Sequence, residues 1–350
     1  MGIFDFLKRR HLDAKSEVEV NANFTPVQAT RSESYTRDEQ IALFLHFMDG
    51  SYPLSEEGYY NYNVRYHCGN VTNPNKLHKQ LIQEGYFIHE PFEKVLNHYK
   101  VQELKDIAAT YSINVKGLRK AQLVEVLSKM LPTDIRRSLV DESACYILSE
   151  KAYKYLENYK VLIYLVDHRE FGISYSEFKD AERKFGGTYR DVIWRIFNDE
   201  MGKLIRSHNF SASCIVFESM ARFLVEEEHF KEALRFYLLS LYFNVNRCSM
   251  QSLILAEMQC KNANKSFMME MIDNDEFNIS LAKRIVELAD HYEPLIAQKV
   301  IDMQFLPFEF LPNKTFVSMV SEMMADPIFD SVKYMEQSKK AAIKKIQTLR

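Results

Sequence analysis

Hydrophobic positions recur at spacings of three and four along most of this chain and strict alternation is rare, a pattern that predicts helices joined by short loops. In residues 99–131, Val101, Leu104, Ile107, Ala108 and Tyr111 form one apolar stripe, and Leu123, Val124, Leu127, Met130 and Leu131 form a second. Between them, residues 112–118 contain Asn114 and Gly117, the two expected to make the turn because they tolerate positive φ cheaply. Two stripes of this size can close on each other, which predicts a small helical hairpin module.

Upstream, residues 35–50 predict a helix with Thr36 as its cap, Glu39 at the capping-box position, and a stripe of Ile41, Phe44, Leu45 and Met48. Residues 73–88 begin on a turn signal and continue as a helix ended by Gly85. After Pro132 the character changes: a helix opens over 149–156, and the apolar run 159–166 reads as a buried helix. Residues 173–185 read as a Ser-capped amphipathic helix broken at Gly186 and Gly187. Residues 189–208 carry the only tryptophan, Trp194, with Ile193, Ile196, Phe197 and Leu204 as core candidates.

In residues 213–245, Met220, Ala221 and Leu224 line one helix; after Glu228 and His229, the residues Phe230, Ala233, Leu234 and Tyr237 line the next. Helices continue through 248–271 and 279–291, with Met258, Met268, Met269 and Met271 expected in the core. Residues 305–312 read as an extended aromatic connection and 314–325 as one more helix. The tail from Gln337 reads as a short basic amphipathic helix with a frayed, solvated end.

The 99–131 hairpin resembles the SAP family, a helix-extended loop-helix DNA-binding module. Val101, Glu103, Leu104 and Lys105 match the first part of its pattern, and Gly117, Arg119, Lys120 and Leu123 match the second. The run Gly117-Leu118-Arg119-Lys120 is one residue longer than the family's, and Val126 stands where an arginine is common. Residues 73–86 resemble a segment that precedes SAP-like hairpins in an uncharacterised family of Gram-positive bacteria and their phages. The 213–245 pair resembles one tetratricopeptide-type hairpin, with Ala221, Phe230, Ala233 and Leu234 at its small and large positions. Glu228 replaces the glycine of that pattern, and no second copy follows at the repeat period. The resemblances imply a mainly α fold: a small SAP-like helix-loop-helix module plus a larger all-helical domain of TPR-like hairpins.

Composition supports this class. Ten Gly and nine Pro in 350 residues are few, as suits helices with short loops, and the length predicts two domains plus tails. The expected layout is an amphipathic N-terminal segment and linker (1–34), a helical region with a Tyr-rich segment (35–96), the SAP-like module (97–131), a helical body (141–330) and a basic tail (331–350). The net charge of −3 does not mark a dedicated nucleic-acid binder, yet residues 92–129 hold seven Lys or Arg against four Asp or Glu. Cys68, Cys145, Cys214, Cys248 and Cys260 are odd in number and lack any Cys-x-x-Cys, which reads as the buried thiols of a cytoplasmic protein. No run is long enough to span a membrane.

The motifs of catalysis are absent. There is no Gly-rich phosphate loop, no His-Glu-x-x-His and no Gly-x-Ser-x-Gly, and the adjacent His67 and Cys68 lack metal-ligand spacing. No catalytic residue, cofactor, metal or small-molecule ligand is therefore expected. Tyr59, Tyr60, Tyr62 and Tyr66, beside Arg65, read as rings covering a core edge rather than a base-stacking platform. The candidate chemistry is the start of the hairpin's second helix. There the helix dipole and free amides, with Arg119, Lys120, Gly117, Lys105 and Lys116, predict weak phosphate contacts to duplex DNA. The helical body is expected to meet a protein partner. The alternative is a scaffold or adaptor in which the hairpin is only structural.

Overall fold

Helix starts written in the sequence organise both halves of the molecule, a computed structural model that describes residues 35–50, 64, 67–69, 71–143, 145–260, 264–273, 275–303, 305–326 and 329–349. The N-terminal segment and linker, with Tyr59, Tyr60, Tyr62, Arg65 and Tyr66, lie outside the described residues. The chain is mainly α, and the described residues divide into a unit ending at Arg169 and a second running from Glu170.

In the first unit, Thr36 and Glu39 form the reciprocal box that opens α1 (Arg37–Met48): Thr36 N–H donates to Glu39 Oε2 at 2.8 Å, and Glu39 N–H to Thr36 Oγ1 at 3.3 Å. Asn73 Oδ1 caps α2 (Pro74–Gln83), and Gly85, at φ 76°, turns the chain into β1 (Phe87–His89). There follow α3 (Phe92–His98), α4 (Val101–Thr110), α5 (Lys120–Met130), α6 (Thr133–Ser143), β2 (Tyr146–Leu148), α7 (Glu150–Leu156) and α8 (Lys160–Asp167). β1 and β2 pair antiparallel, Phe87 opposite Leu148 and His89 opposite Tyr146. This sheet is absent from the sequence expectation because three residues are too few to show a period of two.

The hairpin α4–α5 is less self-contained than its stripes predict. Its core of Leu104, Ala108, Ile113, Leu123, Val124, Leu127 and Leu131 includes Leu96 of α3 and is flanked by Ile135 and Leu139 of α6. Two short helices bury too little area alone, so α3 and α6 complete the module. Met130, Val101 and Tyr111 are exposed although the predicted stripes include them, because they lie at the margins of the faces that close on each other. In the turn, positive φ falls on Ser112 (56°) and Gly117 (79°), whereas Asn114 contributes through Oδ1, which accepts Lys116 N–H.

The unit boundary follows Arg169 rather than Pro132, because β2 returns to β1 while α7 and α8 pack on α1. The apolar run in α8 buries Leu162, Leu165 and Val166 and leaves its other face half-buried.

The second unit contains α9 (Tyr175–Phe185), α10 (Tyr189–Arg206), α11 (Phe210–Glu226), α12 (Phe230–Val245), α13 (Cys248–Cys260), α14 (Lys265–Asp273), α15 (Ile279–Val286), α16 (Pro294–Ile301), α17 (Asn313–Ala325) and α18 (Val332–Gln347). Successive helices α9 to α12 pack as hairpins, and α12 also meets α13, α15, α16 and α18. From Ala233 to Val245 every residue of α12 is buried except the half-buried Arg235 and Asn244, so this helix is the axis of the unit. Glu228 closes the α11–α12 turn at φ 60°, the conformation that the resembling pattern assigns to glycine.

Just beyond α12, Asn246 Oδ1 accepts the backbone N–H groups of Phe310 and Leu311, each at 2.9 Å, and Gln251 exchanges two bonds with the Phe308 backbone. These amides hold the extended aromatic connection in place. The C-terminal tail is no frayed end: Tyr334, Met335, Ser338, Ala342 and Ile346 of α18 are buried, and Ser338 Oγ donates to Val245 carbonyl oxygen at 2.5 Å. Met258 is 51% exposed, contrary to its expected core position, whereas Met268 is buried. Among the described residues no helix is long and apolar enough to cross a membrane.

Two outcomes follow from these buried polar groups. Asn246→Ala orphans two buried amides and is expected to lower stability by about 2–4 kcal/mol in urea denaturation. His78, buried among Phe44, Phe87 and Tyr146, has its pKa pushed by burial from 6.5 down to about 4. The unfolded chain therefore binds the extra proton first as the pH falls. Stability is full above about pH 6.5 and declines toward pH 4 by on the order of 3 kcal/mol, and His78→Phe is expected to flatten that acid limb.

Candidate functional site

The start of α5 is built by a glycine and a pair of helix ends. Gly117 holds φ 79° with open space around its Cα, so backbone conformation rather than crowding calls for glycine there. Arg119 follows as the N-cap residue, and its backbone N–H donates to Gln122 Oε1 at 3.0 Å. A guanidinium carries no acceptor, so the Arg119 side chain leaves the first-turn amides of α5 without a side-chain cap. Arg119, Lys116 and Lys105 are exposed, and none of them makes an ion pair among the described residues.

The acidic groups nearby are engaged locally. Glu103 accepts Lys100 N–H at 2.5 Å, Asp106 accepts from Gln102, and Glu125 pairs with Lys129 toward the far end of α5. The Lys129 contact holds the Glu125 carboxyl below its usual range. Among the described residues, Arg119 and Lys116 are thus exposed and have no carboxylate partner.

Lys120 differs from its neighbours. Its Nζ donates to the Asn97 carbonyl oxygen at 2.8 Å, at the C-terminal end of α3. An ammonium is favourable at a helix C-terminus, and the bond ties the start of α5 to the end of α3. Of the five predicted residues, Gly117, Arg119, Lys116 and Lys120 gather in the loop and first turn of α5, while Lys105 stands on the exposed side of α4. Lys76 and Lys79 add a separate basic stretch on α2, where they line an open polar hollow with Asn73, Gln80 and Gln83.

A second constellation escapes the sequence expectation of no metal ligands. The β1–β2 register continues one pair further: Glu90 N–H donates to the Cys145 carbonyl oxygen at 3.0 Å, and Cys145 N–H donates to Glu90 Oε1 at 2.9 Å. His98, at the end of α3, brings Nε2 to 2.7 Å from the same Oε1. Glu90, His98 and Cys145 place ligand-type atoms within 4.8 Å of one another; Glu90 and Cys145 are buried, and the His98 side chain is 42% exposed. No sequence spacing signals a set drawn from two strand ends and a helix end. The usable hint was the short apolar run beside each of Glu90 and Cys145.

Comparison with protein-family models, curated proteins and solved structures finds no match to this chain.

The two adjacent cations are separable by stability. Lys120→Ala removes the contact to α3 and is expected to cost about 0.5–1.5 kcal/mol, whereas Arg119→Ala is expected to change stability by less than about 0.5 kcal/mol, both read from urea denaturation midpoints.

Proposed function

We propose that this chain associates without catalysis with duplex DNA through the loop and first turn of α5, in the manner of the SAP modules it resembles, while its helical second unit offers a surface for a protein partner. The observation that carries this reading is the trio of exposed, carboxylate-free cations, Lys105, Lys116 and Arg119, with two of them beside a helix start that has no side-chain cap. Phosphate oxygens accept from such amides and pair with such cations, and neither contact reads a base. The interaction is therefore weak, sequence-tolerant and steeply salt-dependent.

A second reading rests on Lys120. Its bond to Asn97 gives one of the matched cations an architectural task, as in a scaffold whose hairpin only packs. A fluorescence-anisotropy titration with duplex DNA at two salt concentrations separates the readings. Neutralising two or three phosphates is expected to weaken binding about ten- to fortyfold between about 50 and 200 mM salt. A Lys116→Ala, Arg119→Ala double variant is expected to retain its fold and lose most of the affinity and the salt slope. Absence of binding by the native chain at low salt favours the scaffold.

A further inference from the structure

The hydrogen-bond register of a sheet decides which side chains meet at its end, and here it sets Glu90 opposite Cys145 across 55 residues of chain. Glu90 is followed at once by Pro91, which opens α3, and α3 is seven residues long, so its far end presents His98 back at Glu90. We propose that Glu90, His98 and Cys145 form a binding site for a single divalent transition-metal ion of the zinc type, which staples the sheet end to α3.

The donor set fits such an ion in kind and in charge. Thiolate, imidazole and carboxylate are the three zinc ligands used by proteins, and the soft sulfur selects against magnesium and calcium. With Cys145 deprotonated and His98 neutral, the three groups carry two negative charges, which one divalent ion balances. Without the ion, the buried Glu90 carboxylate is held by His98 Nε2 and the Cys145 N–H beside a neutral thiol; the ion takes over as partner of the carboxylate and of the thiolate it creates. Binding releases the Cys145 thiol proton, and any proton held by His98, to solvent, so affinity weakens as the pH falls.

Geometry asks for modest movement. Metal–ligand bonds of about 2.0–2.3 Å in a tetrahedron hold donor atoms about 3.3–3.7 Å apart. The 2.7 Å contact between His98 and Glu90 must open by about 0.6 Å, and the widest separation in the cluster, at most 4.8 Å, must close by about 1 Å. His98 has the freedom to provide this, being half-exposed at the last turn of its helix, and the same exposure leaves a fourth position for water. Lys120 bonds to Asn97, the residue before His98, so the ion would also steady the helix end on which the α4–α5 hairpin is anchored. The site does not depend on nucleic-acid binding.

The test is titration of the full chain, stripped with a chelator, with Co2+ alone and then with Zn2+ as competitor. The expected result is one equivalent of Co2+ per chain with a sulfur-to-cobalt charge-transfer band, displaced by Zn2+. Cys145→Ser is expected to abolish the band, and His98→Asn, a change at an exposed position, to weaken Co2+ affinity at least tenfold, on the order of a lost zinc-site partner. Cys68→Ser and Cys214→Ser leave both unchanged. Glu90→Gln is expected to weaken Co2+ binding likewise, and if it fails to fold, Cys145→Ser and His98→Asn still decide the outcome. A native chain without the band, or a band that survives in Cys145→Ser, overturns the proposal.

Discussion

Two strands of three residues, Phe87–His89 and Tyr146–Leu148, hold the first unit together. A pair this short is not stable alone. Its outer bonds are supplied by neighbouring chain: Gly50 N–H donates to the Tyr146 carbonyl oxygen, Leu148 N–H to Asp49 Oδ1, and Ser149 N–H to the Tyr86 carbonyl oxygen. Phe87, Leu148 and the neutral ring of His78 bury one side of the pair against α1 and α2. Closing a loop of this length costs entropy that the packing must exceed, and everything between the strands, α3 to α6 included, is presented from that closure.

The helical module carried by the closure shows how one short run of cations can divide its labour. Arg119 and Lys116 lie exposed in a loop and cap with no carboxylate partner among the described residues, while Lys120, one residue on, is spent on the last turn of α3. The usual penalty for a cation at a helix start is offset for Lys120 by the carbonyl it reaches, and stays with Arg119 as a disposition toward anions. The same helix end supports His98, so the anchoring of the hairpin and the Glu90–His98–Cys145 cluster share one structural element.

The second unit is organised differently, around a helix that is enclosed from Ala233 onward. Because α12 is enclosed beyond its first turn, the helices that surround it must leave and return, and the connections need polar groups to end on. Asn246, Arg247 and Gln251, immediately after α12, serve that purpose. They satisfy amides of the 305–312 connection and carbonyls at Ile272 and Met335. Arg247 does so at φ 54° with its guanidinium buried, and its contact with Asp275 supplies the compensating charge.

Local information was legible in the sequence. Thr36 with Glu39, the turn signal that opens the 73–88 helix, a serine cap on the 173–185 helix and the Gly186-Gly187 break are read directly, because caps and stripes are set by residues three or four apart. The same holds for the two helices of the 99–131 hairpin and for the clustering of Gly117, Arg119 and Lys120 at the second one. Tertiary structure alone decided that Lys120 reaches Asn97, that Leu96 and Ile135 share the hairpin core, that the last helix packs rather than frays, and that Glu90, His98 and Cys145 converge. Each of these depends on a strand register or a helix contact between segments far apart in the chain, and a spacing of three or four cannot encode a neighbour 55 residues away.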